Sequence, residues 1–546
     1  MSREYLISLA LVATTALAAA GARHLRVPHS ILLVLVGAAL AFAPGLPRIA
    51  IDPDLVLLLM LPPLLYSSGV GMSWRGFWGN LRPILLLAIG CVLFTATAVA
   101  VAGHLLLGLP WSVGFVLGAV VSPPDAVAPM AIARRLILPG RLLTVLEGEG
   151  LVNDATALIL FAFAVAAVET GGVSVAEAAA SFVLIVIGEM LWGVALGWAI
   201  LRLRRLIGDP QVEIVLALLA PYVAFWPPHM LGGSGVLAAV ATGLYVSWNG
   251  PRFIAVPTRL QGYFVWGLVV HLIEGLVFLL TGLQAHVIVD GLSDSRWQRL
   301  ALAGLVFSAV VVLVRFVWVF PATYLPRLIP AIRARDPMPP WQHSFLIGFT
   351  GIRGVVSLAA ALSIPMLVDG QPFPDRDLVL FSTFCVIMVT LVGQGTALPW
   401  VIGRLGLTEA GQAEAAAAKT REVLARVEGV DAALDRLDAL ERDGAPAPVV
   451  AALRRRHRDR RAQFAGTADE RVPGSPAADS AVLQLQLNEA ERRQIAALYG
   501  RGAITDEARR RIERELDLED ARIRHAAESA TGQPARADPE AAEAVA

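Results

Sequence analysis

Charged residues are scarce in this sequence. Only 16% of its 546 residues are Asp, Glu, Lys or Arg, whereas roughly a quarter are charged in a typical soluble globular protein. The formal net charge is +0, so no global basic surface indicates nucleic acid as a partner. Most of the charged residues follow about residue 405, so the chain before that point is poorer in charge than the average suggests.

Lysine and cysteine are nearly absent. The single lysine, Lys419, lies in the polar C-terminal part, which excludes a retinal-type Schiff base in the apolar part. Cys91 and Cys385 lie within apolar runs without a C-x-x-C spacing, so we interpret them as small buried hydrophobic residues. No H-E-x-x-H sequence supports an intramembrane zinc protease, and the sequence predicts no cofactor.

Long apolar runs alternate with short loops up to about residue 405. Several runs reach the roughly 20 residues that a helix needs to cross a bilayer. We therefore predict an all-α polytopic membrane domain over residues 1–405 with about thirteen spanning helices. The predicted spans are 5–21, 29–44, 53–70, 83–108, 112–133, 142–168, 178–201, 211–227, 229–247, 262–288, 298–320, 343–367 and 378–402. The first run lacks a basic start and a cleavage site, so we interpret it as a spanning helix rather than a signal peptide.

Arginine occurs in every second loop. The loops after odd-numbered spans contain Arg23, Arg26, Arg75, Arg82, Arg134, Arg135, Arg141, Arg202, Arg204, Arg205, Arg252, Arg259, Arg327, Arg333 and Arg335. The loops after even-numbered spans are poor in arginine and carry Asp52, Asp54, Glu169, Asp290, Asp294, Asp369 and Asp375. Because positive residues are retained in cytoplasmic loops, this alternation predicts an external N-terminus and a cytoplasmic C-terminus.

Residues 406–546 are rich in Ala, Arg, Glu and Asp. Apolar residues recur there at three- and four-residue steps, and Thr505 precedes a second helical pattern. We predict a cytoplasmic tail of helices and partly disordered linkers. The arginine-rich run at 454–461 is interpreted as a solvated helix face rather than as a regulatory or lipid-binding patch.

The fifth predicted span contains an aspartate among prolines. Pro123, Pro124 and Pro129 lie around Asp125, and each proline removes a backbone donor, so the helix is expected to break near the middle of the bilayer. Broken helices at that depth are tolerated where they are buried in protein or line a cavity. Asp125 therefore lies where free carbonyls and half-helix ends can bind a cation.

The sixth predicted span contains Glu149 and Asp154 near its middle. Glu149 and Asn153 share a helical face, whereas Asp154 points about 100° further round and lies over Gly150. One face can hold Glu149 in an ion pair while Asp154 is presented elsewhere, in space that Gly150 leaves open. An ionised group at this depth is costly, so at least one carboxylate needs a cation or a proton.

Two arginines lie in later spans. Arg315 has apolar neighbours in the eleventh span, and Arg353 lies in a glycine-interrupted stretch of the twelfth. The twelfth span follows the fifth by an odd number of spans, so the halves have opposite orientations. Interrupted helices at matching positions of inverted halves indicate the central site of a transporter. We predict two inverted six-helix repeats with crossed broken helices, joined by the seventh span.

These motifs resemble those of the bacterial sodium/proton exchangers of the monovalent cation:proton antiporter-1 family. Leu61–Leu65 is similar to the third-span motif, Ser122–Ala128 to S-P-x-D-x-V-A and Glu149–Asp154 to E-x-L-x-N-D. Phe349–Leu358 resembles the G-x-R-G motif of the twelfth span. The resemblance covers about residues 1–405 in order and implies a sodium/proton antiporter fold in a bacterial inner membrane.

The resemblance also implies roles for individual residues. Asp154 would be the main site for cation and proton, with Asp125 and the backbone carbonyl of Pro124 nearby. Asn153 stands where electrogenic relatives have a second aspartate, which implies electroneutral one-for-one exchange. Further implied roles are an ion pair of Glu149 with Arg315, support of the broken span by Arg353, and space at Gly150, where some relatives have serine. The resemblance further implies a homodimer in membrane lipid, with a mobile core that works by alternating access.

Several alternatives differ in the chemistry they require. An organic-anion symporter would need cationic groups at its centre, whereas this centre is acidic. A channel fits two occluding broken helices less well than a carrier does, and an enzyme would need a nucleophile and base that the spans lack. The resemblance implies Na⁺ as the favoured cation, and the residues themselves leave K⁺ open as the alternative.

We expect reporter fusions to reproduce the arginine-based topology. Fusions after Arg26, Arg141 and Arg205 should report a cytoplasmic location, and fusions near Asp52, Glu169 and Asp290 an external one. Paired phosphatase and fluorescent-protein fusions at each point measure the location. A cytoplasmic signal at Glu169 would contradict the predicted number of spans.

Overall fold

The computed structural model describes residues 3–25, 28–43, 53, 55–172, 174–290, 297–368, 370–469, 476–501 and 503–531. The chain divides into two compact units, Met1–Gln412 and Ala413–Ala546. Within the described residues, the regular structure of the first unit is helical apart from one short hairpin of β1 (Leu367–Val368) and β2 (Gln371–Pro372). Five residues of the topology prediction lie outside the described residues, namely Arg26, Asp52, Asp54, Asp294 and Asp369.

The described residues of the first half of this unit form nine helices. They are α1 (Arg3–Leu25), α2 (His29–Ala41), α3 (Leu61–Gly71), α4 (Trp74–Gly79), α5 (Leu81–Leu85), α6 (Val92–Leu107), α7 (Trp111–Val121), α8 (Val127–Arg135) and α9 (Gly140–Thr170). A π-helical turn at Leu86–Cys91 joins α5 to α6, and another at Leu55–Met60 leads into α3.

The second half of this unit contributes ten further helices within the described residues. They are α10 (Val175–Ile207), α11 (Pro210–Met230), α12 (Val236–Phe253), α13 (Val256–Asp290), α14 (Trp297–Tyr324), α15 (Pro330–Arg335), α16 (Trp341–Phe349), α17 (Val355–Leu362), α18 (Arg376–Met388) and α19 (Gly395–Arg404). The predicted division at Pro227–Pro228 is wrong by a few residues, because α11 continues to Met230. The turn lies where Gly232 and Gly235 adopt positive φ values of 85° and 71°.

Seven helical segments of the described chain are long and apolar enough to cross a membrane. Other predicted spans are shorter apolar helices, and two are interrupted, at α7–α8 and at α16–α17. Length and composition therefore identify fewer spans than the apolar runs do, and the number thirteen stays a prediction.

Small residues let neighbouring helices approach closely. A Cβ atom at Gly37 of α2 would lie 2.2 Å from the Leu279 carbonyl oxygen of α13, and one at Gly282 would lie 2.2 Å from the Val34 oxygen. Packing in lipid gains little from a hydrophobic effect between helices, so close backbone contact becomes a main source of stability. These glycines explain how α2 and α13 pack along much of their shared length.

Arginines from three predicted cytoplasmic loops meet at Asp336. Arg141 Nη2 donates to Asp336 Oδ1 at 2.5 Å, Arg327 Nη2 donates to Oδ2 at 2.9 Å, and Arg82 also donates to Oδ2. Burial alone would raise the pKa of Asp336, but Arg141 and Arg327 hold it below its usual range. The stabilisation is therefore present near neutral pH and is lost as the pH falls through the lowered pKa. The shared contact agrees with loops that lie on one side of the membrane.

The second unit consists of helices α20 (Leu407–Arg442), α21 (Ala447–Asp469), α22 (Pro476–Gly500) and α23 (Asp506–Thr531), of which α20 begins in the first unit. Val423, Val430 and Leu437 form the buried stripe of α20. The Thr505 hydroxyl accepts a hydrogen bond from the Ala508 amide, which confirms the predicted helix start.

The arginine-rich run lies on α21. Arg454 Nη2 donates to Asp438 Oδ1 and Glu441 Oε2 at 2.7 and 2.5 Å, and Arg461 Nε donates to Asp431 Oδ1 at 2.6 Å. These contacts connect α21 to α20 through exposed ion pairs, each of which contributes little in water. The interpretation of this run as a solvated helix face stays a prediction.

Candidate ion-binding site

The two interrupted spans contact each other at their breaks. The fifth span is unwound between α7 and α8, and the twelfth between α16 and α17. The backbone amide of Asp125 in the first break donates to the carbonyl of Ile352 in the second at 2.7 Å. Unpaired backbone groups are costly at membrane depth. Each break therefore supplies a hydrogen-bond partner for a free backbone group of the other, as the predicted crossed broken helices require.

Arg353 satisfies the carbonyls at the end of α7. Its Nε donates to the Val121 oxygen at 2.8 Å, its Nη2 donates to the Ser122 oxygen at 3.2 Å, and its Nη1 donates to the Gly351 oxygen. The side chain is 1% exposed. The carbonyl end of a helix carries partial negative charge, so it favours a cation there. Arg353 thus holds the second break against the first.

Asp125 begins α8. Its Oδ1 accepts a hydrogen bond from the Val127 amide at 3.1 Å, and its Oδ2 lies 3.5 Å from the Ala128 amide nitrogen. A carboxylate at a helix N-terminus accepts hydrogen bonds from the free amides there and is stabilised by the helix dipole. A Cβ atom at Gly354 would lie 2.7 Å from the Cβ atom of Asp125, so this position has no room for a larger residue.

Glu149 and Arg315 form a buried bidentate ion pair. Arg315 Nη1 donates to Glu149 Oε1 at 2.6 Å, and Nη2 donates to Oε2 at 2.8 Å. The side chains are 2% and 1% exposed, and Arg315 Nε also donates to the Ile347 carbonyl at 3.0 Å. Parallel hydrogen bonds of this kind are among the strong ones in proteins. The pair neutralises two charges and connects α9 to α14 and α16.

Asn153 and Gly150 hold α9 against the first break. Asn153 Nδ2 donates to the carbonyl of Pro124 at 2.7 Å, so one lone pair of that carbonyl is already used. A Cβ atom at Gly150 would lie 2.5 Å from the Cβ atom of Ala126. The space predicted at Gly150 is therefore filled by Ala126, and a serine here would require the break to move.

Asp154 lines a cavity of about 420 Å³ between the breaks and the helices α3, α9 and α13. Asp125 lines the same cavity, and the two carboxylates are close enough to interact electrostatically. Among the residues that the structure describes, none forms a hydrogen bond with the Asp154 side chain. Ser357 also lines the cavity, and its hydroxyl has no hydrogen-bond partner among the described residues either. These oxygen atoms suit a hard monovalent cation or a proton.

Glu274 lines this cavity from α13, although the sequence favours an interhelical contact over a ligand role for this residue. Its side chain is 18% exposed, and Oε2 lies 3.7 Å from Nε2 of His29. Glu147 and Arg134 also line the cavity and pair with each other at 2.7 Å. Glu274 stood out in the sequence as an ionisable residue within a predicted span. The sequence does not indicate which face of α13 lines the cavity beside the breaks.

Crossed broken helices around an acidic cavity define a secondary transporter of small cations, in which half-helices frame a central site. Residues 8–403 match the family model described as sodium/hydrogen exchanger, transmembrane. The chain therefore belongs to the sodium/hydrogen exchanger family, whose members are transporters rather than enzymes. The predicted family and its multi-pass membrane character are confirmed.

Relatives from several organisms support this assignment. An uncharacterized Na⁺/H⁺ exchanger of Mycobacterium tuberculosis is 34% identical over 533 residues, which cover 95% of this chain and 96% of the relative. A sodium, potassium, lithium and rubidium/H⁺ antiporter of Bacillus subtilis is 34% identical over 385 residues, or 68% of this chain and 57% of the relative.

A solved structure shows the same fold. The sodium proton antiporter MjNhaP1 from Methanocaldococcus jannaschii matches with a TM-score of 0.61 at 17% identity, over 74% of this chain and 98% of that one. The predicted fold class is confirmed by this match.

Mutant cycles should reveal coupling between Glu149 and Arg315. Glu149→Gln and Arg315→Gln each leave a buried charge opposite a neutral partner, which typically costs about 3–5 kcal/mol. The double mutant should be more stable than at least one of the single mutants. Thermal melts of the four detergent-solubilised proteins measure this, and strictly additive losses would contradict the coupling.

Proposed function

We propose that the protein exchanges a monovalent cation for H⁺ across the bacterial inner membrane, with Asp154 and Asp125 as the cation and proton site. The observation that carries this proposal is the Asp154 carboxylate, which lines the acidic cavity without a hydrogen-bond partner among the described residues. Asp125 has a backbone amide beside its carboxylate, Glu149 a guanidinium group and Glu274 an imidazole.

Competition between the two substrates is the proposed coupling mechanism. An ionised carboxylate at membrane depth is costly, so Asp154 crosses the interior only when a cation or a proton neutralises it. The empty, charged site stays on the side where it released its substrate. Exchange then needs no second coupling device, and Asp125 and Ser357 supply further oxygen atoms for the cation.

Asn153 is the basis for proposing electroneutral one-for-one exchange. Its amide donates to Pro124 and carries no charge, so Asp154 is the carboxylate of α9 left free to exchange a proton. With one charge moved in each direction, the membrane potential of about 2.3 kcal/mol per charge per 100 mV contributes nothing. The cation and pH gradients alone then set the direction, which suits a role in sodium and pH homeostasis.

Na⁺ is the cation that we propose first, and K⁺ is the alternative. The name of the Bacillus relative includes both ions. Gly150 supplies no side-chain ligand, and the Pro124 carbonyl already accepts the Asn153 amide, so the protein offers few fixed ligands that would select by size. Water molecules completing the coordination shell would make the site tolerant of both ions.

We further propose a homodimer in which the two broken spans move with their neighbours by alternating access, with the N-terminus outside. The buried contacts of Arg353 and of Glu149 with Arg315 support movement of these helices as one body, because they connect α7, α9, α14 and the second break. If these helices move together, those hydrogen bonds are kept in both the outward-facing and the inward-facing conformation.

Substitutions of the cavity carboxylates should separate their roles. Asp154→Asn should abolish exchange, because an amide carries neither the proton nor the charge. Asp125→Asn should severely weaken cation activation. Glu274→Gln should retain turnover but raise the half-saturating cation concentration roughly three- to tenfold, because it removes a nearby charge in a hydrated cavity.

Dequenching of a pH-sensitive dye in everted vesicles, with Na⁺ and K⁺ added separately, measures all three effects. Glu169→Gln, near the end of α9 and outside the cavity, is the matched control and should behave as the wild type. Wild-type exchange in Asp154→Asn would overturn the proposed site, and a dye response to neither cation in the wild type would overturn the proposed function.

The one-for-one stoichiometry makes exchange insensitive to voltage. The rate of Na⁺/H⁺ exchange in proteoliposomes should stay the same when a potassium–valinomycin potential of either sign is imposed. Choline replaces K⁺ in a control that tests whether K⁺ itself is transported. A rate that follows the potential would contradict electroneutral exchange and the role given to Asn153.

A further inference from the structure

A second polar cavity lies away from the acidic site, where α5, α9, α14 and α16 meet. Its volume, measured for the centres of water molecules, is about 50 Å³, which is room for a few waters or one small oxyanion. Arg82, Arg141, Arg327 and Ser344 line it, and none of the described lining residues is acidic. The cavity is thus basic, in contrast to the one around Asp154.

The arginines of this cavity are not fully satisfied by Asp336. Its carboxylate accepts hydrogen bonds from all three guanidinium groups, which leaves two positive charges in excess. Arg82 Nε and Nη1 and Arg327 Nε are buried and have no partner among the described residues. Arg327 is 3% exposed, so bulk water does not hydrate this side chain freely.

Ser344 gives an independent indication of a ligand. This residue of α16 is fully buried at 0% exposure, lines the cavity, and has a hydroxyl without a partner among the described residues. Buried polar atoms are nearly always hydrogen bonded. A hydroxyl and guanidinium nitrogens that lack partners around one cavity indicate an acceptor-rich anion.

We propose that this cavity binds a phosphate group, carried by an anionic lipid or by a soluble anion. Guanidinium groups match phosphate oxygens in geometry and hold them by paired hydrogen bonds. Pro83, Leu86 and Ile347 line the apolar part of the cavity, which suits the carbon next to a phosphate ester. Basic pockets between membrane helices at the cytoplasmic side bind lipid headgroups in this way.

The site is independent of cation exchange. The carboxylates at Asp154 and Asp125 line another cavity and share no lining residue with this one. A bound phosphate would hold together α5, α9, α14 and α16, of which α9 and α16 lead into the site of exchange. Its expected effect is on the stability of this helical group.

Thermal melts of the purified full-length protein in detergent test the proposal. The probes are phosphatidylglycerol against phosphatidylcholine, and inorganic phosphate against chloride at matched ionic strength. Binding to the folded state raises Tm with concentration. A rise with both phosphate probes, with phosphatidylglycerol alone or with inorganic phosphate alone supports the site and identifies the source of the phosphate. No rise with either probe overturns it.

Variants distinguish this cavity from general surface charge. Arg82→Gln should raise the half-saturating probe concentration roughly tenfold or more, as expected for loss of a charged hydrogen bond. Ser344→Val removes the hydroxyl and takes up space in the cavity without changing any charge, so it should also remove the Tm response. This variant tests the proposal if Arg82→Gln does not fold. Arg333→Gln removes an exposed charge on α15 outside the cavity and should respond as the wild type.

Two results would overturn the proposal at this stage. One is a full wild-type response in Ser344→Val or in a folded Arg82→Gln protein. The other is an equal loss of response in Arg333→Gln, which would show diffuse attraction to surface charge rather than binding in the cavity.

Discussion

Backbone groups freed at the two helix breaks must find partners within the membrane, and the rest of the site depends on how they do so. A break exposes carbonyls at one half-helix and amides at the next, where lipid offers neither donor nor acceptor. Arg353 donates to the carbonyls at the end of α7, the Asp125 side chain accepts from the amides of α8, and the Asp125 amide donates to Ile352. Each break is therefore stable mainly in the presence of the other.

Buried charges of two kinds lie around the breaks: some have hydrogen-bonded partners and one has none among the described residues. Arg353 and the pair of Glu149 with Arg315 are buried, multiply hydrogen bonded and fixed in place. Asp154 has no such partner among the described residues and faces a cavity. Under the proposed mechanism, a cation or proton bound at Asp154 neutralises one side chain and leaves the hydrogen bonds of Arg353, Glu149 and Arg315 intact.

Much of this arrangement was predictable from the sequence, because its signals are local. Prolines around Asp125 and glycines around Arg353 predict where the helices break, and the helical period separates Glu149 from Asp154. What the sequence could not provide was the rotation of distant helices relative to the site. Glu274 was visible as an ionisable residue in a span, but only the packing of α13 against α2 and α3 places it on the cavity wall.

The same limit explains the basic cavity. Arg82, Arg141 and Arg327 were visible in the sequence as members of three predicted cytoplasmic loops, where their number indicated only orientation. Folding brings them around one carboxylate, and Asp336 offers fewer acceptor positions than three guanidinium groups have donors. Loops on the cytoplasmic side of a membrane are rich in arginine because positive residues are retained there. Helix packing then determines whether those arginines lie apart in water or close together. Where they converge and are buried, as Arg327 is, unsatisfied donors make an anion the simplest remaining partner.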